Sequence, residues 1–294
     1  MSWHITPLGP LGARVEGVDL GQPLTAPEVS QVEQLMDRYA VLVFPGQRLD
    51  QHQQIAFARQ LGPLDLGLRK LKGGAHRFDY PELADISNVK VDGTVAGRDD
   101  PKIVGNVANQ LWHSDSSFQR PRAKYSMLHA VVVPGEGGNT EFADLRLAWD
   151  TLPEAWKRRV QHLTAVHYAL HSRFLLGDTG YTEAQRQAIP AVQWPLVQTD
   201  PRSGRQVLFV GIHACEVPGM TLAEGRMLLA DLLEHATQRA HVYAHRWTAG
   251  DLVMWDNTTT VHRGRWYDFA QRRELRRATT EEVISSPQAQ ALAA

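Results

Sequence analysis

A β-rich core with inserted helices is the architecture this sequence predicts, on three observations. Short apolar or alternating runs recur between turn residues, several helix starts carry capping boxes, and no repeat, linker or composition break divides the 294 residues. One domain, 1–294, is therefore expected. A hydrophobic content of 43% with 8 Trp suffices for a sizeable core. The formal net charge of −1 offers no basic surface for nucleic acid or membrane. No apolar run approaches the roughly 20 residues of a membrane-spanning helix. Met1–Pro7 lacks the basic-then-apolar layout of a signal peptide, and Cys215 stands alone, which suits a reducing compartment. A soluble cytoplasmic protein is expected; a homo-oligomer stays open.

Each element has its own warrant. Residues 11–20 read as a strand pair leading into a helix. Thr25 with Glu28 forms a capping box, and Val29, Val32, Leu35, Met36 and Tyr39 keep a helical stripe. Ala40-Val41-Leu42-Val43-Phe44, stopped by Pro45-Gly46, has the continuous apolar character of a buried strand. Asp50 with Gln53 opens a second helix, which Gly62-Pro63 ends. From about 63 to 109 the patterns fail, apart from an apolar island at 84–89. Loops beyond about 12–15 residues in a compact domain are usually lids or binding loops; this one leads straight into the candidate site, so a lid is expected.

Tyr125–Val133 reads as a strand closed by the turn Pro134–Gly138, and Thr140–Phe142 as a short strand. Thr151 with Glu154, Thr182 with Gln185 and Thr221 with Glu224 match helix starts. The last opens a helix with Leu228, Leu229, Leu232, Leu233 and Ala236 on one face. Alternation over His241–Thr248, a turn at Ala249–Asp251, a strand to Trp255 and a final strand over Arg273–Thr280 complete the core. The tail 285–294 is expected to fray.

The chemistry centres on Trp112-His113-Ser114-Asp115-Ser116-Ser117-Phe118. In an extended segment, side chains two apart share a face, so His113 and Asp115 can aim an imidazole and a carboxylate at one point. With His262, just after the strand ending at Trp255, they make a two-histidine, one-carboxylate set suited to Fe(II), with open positions left for chemistry. The triplet alone carries little, because a chain with 13 His yields such spacings by chance. Its company matters more. Arg273 and Arg277 follow His262 by 11 and 15 residues; four residues apart on a strand, both guanidiniums emerge on one face, roughly 13 Å apart. Arginines directed inward need anions, and carboxylates fit their paired donors. The alternative is a solvated basic edge, Arg272–Arg277, that discourages strand pairing. Trp112 and Trp255 read as packing beside the ligands, and Asp256-Asn257 as either a turn or a support for the site. His129 and His167 fall near the expected core.

These segments resemble the Fe(II)/α-ketoglutarate dioxygenases of the taurine dioxygenase family, and within it the branch acting on 2,4-dichlorophenoxyacetate. Besides the His113 segment, the resemblance is carried by Gly137-Gly138-Asn139-Thr140-Glu141-Phe142, Trp255-Asp256-Asn257, His262-Arg263, Arg273, Arg277, Leu83–Val89 and Phe174–Thr179. It spans about Val18 to Thr280. It implies a double-stranded β-helix (jelly roll) forming a single catalytic domain, with His113, Asp115 and His262 as iron ligands. It further implies that Thr140 and Arg273 hold α-ketoglutarate, and that Arg277, Lys70 and His213 face the substrate. The implied cofactors are Fe(II), α-ketoglutarate and O2, with ascorbate as reductant, and the implied substrate is an aryloxy acid. An aryloxyacetate hydroxylated beside its ether oxygen yields a phenol and glyoxylate, alongside succinate and CO2. Two departures, Thr94 in place of a Lys and Glu216 in place of a His, are expected to shift substrate range or weaken acid binding while leaving the iron chemistry intact. The same chemistry on an aryloxypropionate, alkyl sulfonate or alkyl sulfate is the alternative. A jelly-roll protein that binds a small anion without turnover, and a zinc hydrolase, are readings from other classes.

Overall fold

The computed structural model describes residues 3–67 and 76–283. In chain order the elements are β1 (His4–Pro7), β2 (Ala13–Glu16), α1 (Ala26–Tyr39), β3 (Val41–Phe44), α2 (Gln51–Arg59), β4 (Ala84–Ser87), α3 (Pro101–Val107), β5 (Ala123–Val132) and β6 (Thr140–Asp144). Then follow α4 (Leu145–Thr151), α5 (Glu154–Val160), β7 (Thr164–His167), α6 (His171–Leu175), α7 (Glu183–Gln187), β8 (Val192–Pro195), β9 (Val197–Thr199), β10 (Gln206–Leu208) and β11 (Ala214–Glu216). The chain closes with α8 (Leu222–Ala236), β12 (Val242–His245), β13 (Leu252–Asp256), β14 (Thr260–Gly264) and β15 (Glu274–Glu281).

The core is the expected jelly roll. Its major sheet has seven strands in the order β1-β2-β3-β13-β5-β15-β4, and a three-stranded sheet, β12-β6-β14, faces it. Period-two alternation sorts the side chains. Leu42, Phe44, Met127, Leu252, Met254 and Ala278 bury one face of the major sheet against α1 and α2. Val41, Val43, Leu128, Val253, Trp255 and Leu275 point the other way and meet Phe142 of β6 between the sheets. The outer face of the small sheet packs Ala143 and Val261 on α4 and α8. Because β3 is covered on both faces, its sequence is continuously apolar rather than alternating.

Three expectations need correction. The strand pair lies at residues 4–16 rather than 11–20, because Gly9 and Gly12, at φ +86 and +90, turn the chain between β1 and β2. Thr151 does not open a helix; it ends α4, its hydroxyl bonded back to the Leu147 carbonyl at 2.9 Å. Asp144 caps α4 instead, through the amides of Arg146 and Leu147, and Pro153 stands at the start of α5. The patternless stretch also contains a helix, α3, capped by Asp100 with Pro101 in its first turn. The boxes at Thr25, Asp50, Thr182 and Thr221 form as expected. Lys70 and the tail 285–294 lie outside the described residues. No helix among the described residues is long and apolar enough to cross a membrane.

Candidate active site

The inner faces of β5, β6, β13, β14 and β15 converge on one point between the sheets. His113 joins β14 from outside it: its amide donates to the His262 carbonyl at 3.0 Å, and the reverse bond is 2.8 Å. This bridge sets the two imidazoles 4.2 Å apart, centre to centre. Asp115 follows where the chain turns, with Ser116 at φ +47. One ligand atom from each of His113, Asp115 and His262 lies within 4.8 Å of the others, and all three residues are buried.

Their surroundings prepare them as metal ligands. His113 Nδ1 lies 2.7 Å from the Leu111 carbonyl, so it carries the proton and leaves the Nε2 lone pair free, 3.8 Å from Asp115 Oδ1. His262 Nε2 lies 3.9 Å from Asp115 Oδ2. Burial pushes both imidazoles below their ordinary pKa, His262 well below. Burial alone would raise Asp115, but the charge of Arg277 beside it holds its carboxyl far below the usual range. Asp115 is oriented by three donors and acceptors: Ser126 Oγ donates to Oδ2 at 2.7 Å, Arg277 donates to Oδ1, and its own amide donates to Asn257 Oδ1 at 3.0 Å. Two neutral imidazoles and one ionised carboxylate fit a divalent iron and leave room beside it.

Two cavities meet here, sharing Ile86, Asn106, Asn109, His113 and Arg277. The smaller, about 60 Å³, is lined also by Leu128, Thr140, Trp255, His262, Tyr267 and Arg273. Arg273 is a buried cation with no carboxylate partner among the described residues. One nitrogen reaches the Gly138 carbonyl at 3.3 Å, and Nε has no partner. Burial lowers its pKa to about 10. Such a group is costly unless an anion joins it, which fits a dicarboxylic keto acid. Asn88 places it, accepting the Arg273 amide at 2.8 Å and donating to the carbonyls of Phe269 and Gln271. Gly138, at φ +67, lets the guanidinium in: a Cβ there would sit 3.2 Å from Nε.

The larger cavity, about 380 Å³, is bounded by Asp115, Ser116, Phe118, α3, Arg173, His213 and Thr279. His213 stacks edge-on against Phe118 at 4.9 Å and His113 at 6.2 Å, and burial holds it neutral, well below its ordinary pKa. Thr94 and Glu216 are exposed and belong to the lining of neither cavity, so the substrate-range shift expected from them has no contact behind it. Of the four clustered arginines, Arg273 and Arg277 face the cavities. Arg276 crosses to the other face, reaching the Leu49 carbonyl at 2.7 Å, and only Arg272 is a solvated edge. Asn257 proves to be a support as well as a turn residue. Sequence reasoning missed Ser126, Asn88 and Arg173; a lone serine in the buried run of β5 was the available signal for the first.

Comparison with known proteins agrees with this geometry. The family described as taurine catabolism dioxygenase TauD, TfdA family matches residues 4–279. The chain belongs to the TauD/TfdA dioxygenase family. Among TauD/TfdA proteins it is 62% identical over 281 residues to the α-ketoglutarate-dependent 2,4-dichlorophenoxyacetate dioxygenase of Cupriavidus pinatubonensis, covering 95% of this chain and 98% of that one. It is 38% identical to the (S)-phenoxypropionate/α-ketoglutarate dioxygenase of Delftia acidovorans, with 90% of each covered. The crystal structure of AAD-2 with Mn(II) and N-oxalylglycine superposes with a TM-score of 0.92 at 42% identity, covering 96% of this chain and 99% of that one.

Proposed function

We propose that this TauD/TfdA protein is an Fe(II)/α-ketoglutarate-dependent dioxygenase that hydroxylates the ether-adjacent methylene of aryloxyacetates of the 2,4-dichlorophenoxyacetate type. The observation that carries the proposal is the 62% identity to such an enzyme across nearly the whole of both chains. His113, Asp115 and His262 hold the iron. Thr140 and Arg273 hold the distal carboxylate of the keto acid in the smaller cavity. When bound, iron and α-ketoglutarate supply the oxidant: one atom of O2 leaves in succinate as CO2 is released, and the other enters the substrate C–H bond.

The chain's own residues orient the reactants. In an aryloxyacetate the reacting carbon is bonded directly to the carboxylate, so the cation receiving that carboxylate must stand beside the metal ligands. Arg277 does, and its Nε is unpartnered. His213 offers an uncharged polar edge in the same wall, and Lys70 is assigned to the substrate from the resemblance alone. Phe118, Ile212 and Ala169 give the aryl ring an apolar surface. The hydroxylated product is a hemiacetal, which passes its hydroxyl proton to the departing phenoxide and separates into phenol and glyoxylate; no general base is required. We read the chain as one catalytic unit, residues 1–294, in which the described part of the expected lid at 63–109 borders both cavities through α3. We place it in the cytoplasm, and ascorbate would serve as reductant.

The test is anaerobic reconstitution with Fe(II), followed by α-ketoglutarate and O2 with and without 2,4-dichlorophenoxyacetate. Succinate matched mole for mole by dichlorophenol is expected. Succinate without phenol would move the substrate to an aryloxypropionate, sulfonate or sulfate. No succinate with any of them would sink the assignment of His113, Asp115, His262 and Arg273.

A further inference from the structure

Trp247 lies in the connection between β12 and β13 and is nearly buried, at 8% exposure. Its indole nitrogen can only donate, and it donates to Thr140 Oγ1 at 3.0 Å. Thr140 therefore accepts on one side and still carries its own hydroxyl hydrogen. Among the described residues no acceptor takes that hydrogen. Thr140 lines the small cavity beside Arg273, whose Nε is also without a partner. A free hydroxyl can turn either its hydrogen or a lone pair into a cavity, and a lone pair would repel an anion. With one lone pair engaged by the indole, the hydrogen is biased toward the cavity.

The indole is itself held firmly. It stands edge-on to His245 at 4.6 Å and 89°. His245 is clamped between Asp251 Oδ2 at 3.1 Å and the Tyr243 hydroxyl at 3.0 Å. The same Asp251 oxygen accepts the Thr248 amide at 2.9 Å, closing the loop around Trp247. Nothing in this arrangement is needed for the sheet ladder, since Thr140 is already paired through its backbone to both β12 and β14.

We propose that Trp247 is a positioning residue for the keto acid: through the Thr140 hydroxyl it presets a hydrogen-bond donor, beside Arg273, for the distal carboxylate. The inference rests on the assignment of the small cavity to α-ketoglutarate. The experiment is calorimetric titration of α-ketoglutarate into Mn(II)-loaded protein without substrate, for Trp247→Phe, Thr140→Val, Thr140→Ser and the Trp247→Phe double variants with each. Trp247→Phe should weaken binding about three- to tenfold, and Thr140→Val about ten- to a hundredfold, with Mn(II) affinity unchanged. If Trp247 acts through the hydroxyl, adding Trp247→Phe to Thr140→Val costs nothing further, whereas adding it to Thr140→Ser restores the three- to tenfold loss.

Equal binding by Trp247→Phe and wild type overturns the proposal, as does full additivity with Thr140→Val. Wild-type protein that binds no α-ketoglutarate overturns the cofactor assignment first and this inference with it. Should Trp247→Phe not fold, the indole N–H signals of the 8 Trp in the Zn(II)-loaded protein decide the question. The signal displaced by Thr140→Ser must move again on adding α-ketoglutarate, and a signal that stays put refutes the coupling.

Discussion

The two cavities that meet at His113 are built from different material. The smaller is a product of the sheets: Leu128, Thr140, Trp255, His262 and Arg277 lie on the inner faces of five strands, and Arg273 stands just before the last of them. The larger is walled by what the sheets do not determine, namely residues 65–67, α3, the turn at 115–118, Arg173 of α6 and the Ile212-His213 connection. Strand pairing fixes each side chain of the first cavity to within one register, whereas loops and helices of five to seven residues can be re-lengthened without disturbing the core. On the proposed reading, the common co-substrate belongs with the first and a variable substrate with the second. The metal ligands stand at the junction: His262 lines the first, Asp115 the second and His113 both.

The candidate metal ligand that faces both cavities gives the largest effect. His113→Ala should abolish tight metal binding and lower turnover by on the order of a thousandfold or more, beyond the roughly 10–100-fold typical of groups that only orient a ligand. Metal titration and succinate release check it. Retention of near-normal Mn(II) affinity would remove His113 from the ligand set.

Arg273→Met tests the sheet-built side by itself. Losing two charge-assisted hydrogen bonds should weaken α-ketoglutarate binding about a hundredfold. The ligand-free protein should become more stable rather than less, because an unpaired buried cation is replaced by an apolar side chain of similar length. Thermal melts with and without the keto acid read both signs. A less stable ligand-free variant would mean that Arg273 already has its compensation within the fold.

Arg277→Leu tests the junction, since Arg277 lines both cavities. We expect kcat/KM for the aryloxyacetate to fall about 10–100-fold while α-ketoglutarate affinity moves less than about threefold. Metal affinity measured alongside separates the lost Asp115 contact from the lost substrate contact. Equal losses for both ligands would show that the two cavities are one site energetically.

The same division explains what the sequence disclosed. Strand alternation and turn residues made β3, β5, β13 and β15 readable, and with them Arg273 and Arg277, whose even spacing survives an irregularity in the β15 pairing near Glu274. His262 lies on β14, which no pattern marked, and was legible only as a third ligand for His113 and Asp115 and from the resemblance. Capping boxes marked α1, α2, α7 and α8 because a box is a local, reciprocal hydrogen-bond pattern. The helix α3 escaped because seven residues, one of them Gly105, carry too little periodicity to detect. Thr151 misled because its Thr-x-x-Glu spacing recurs where the threonine is already the last residue of α4 and its hydroxyl is bonded back to the Leu147 carbonyl. Arg173 was invisible for a different reason: its partner is the carbonyl of Gly105, and a backbone acceptor leaves no mark in composition.

The smallest effect concerns the support behind the substrate wall. His167 of β7 is buried against Phe209, with ring centres 5.2 Å apart, and neither ring nitrogen has a hydrogen-bond partner. Burial, helped by the Arg122 charge, lowers its pKa from 6.5 to about 3. In the unfolded chain it takes up a proton near pH 6.5; in the folded chain it stays neutral until about pH 3. Between those values the unfolded state binds more protons, so stability falls as the pH is lowered, by on the order of 2 kcal/mol between pH 6.5 and 5. His167→Phe keeps the stacked ring and removes the titration, so the acid limb of the melting temperature of the metal-free protein should become shallower while its value at pH 8 holds. An unchanged acid limb would mean that His167 is protonated, and therefore partnered, in the folded protein, and that this side of the large cavity is wetter than the stacked rings imply.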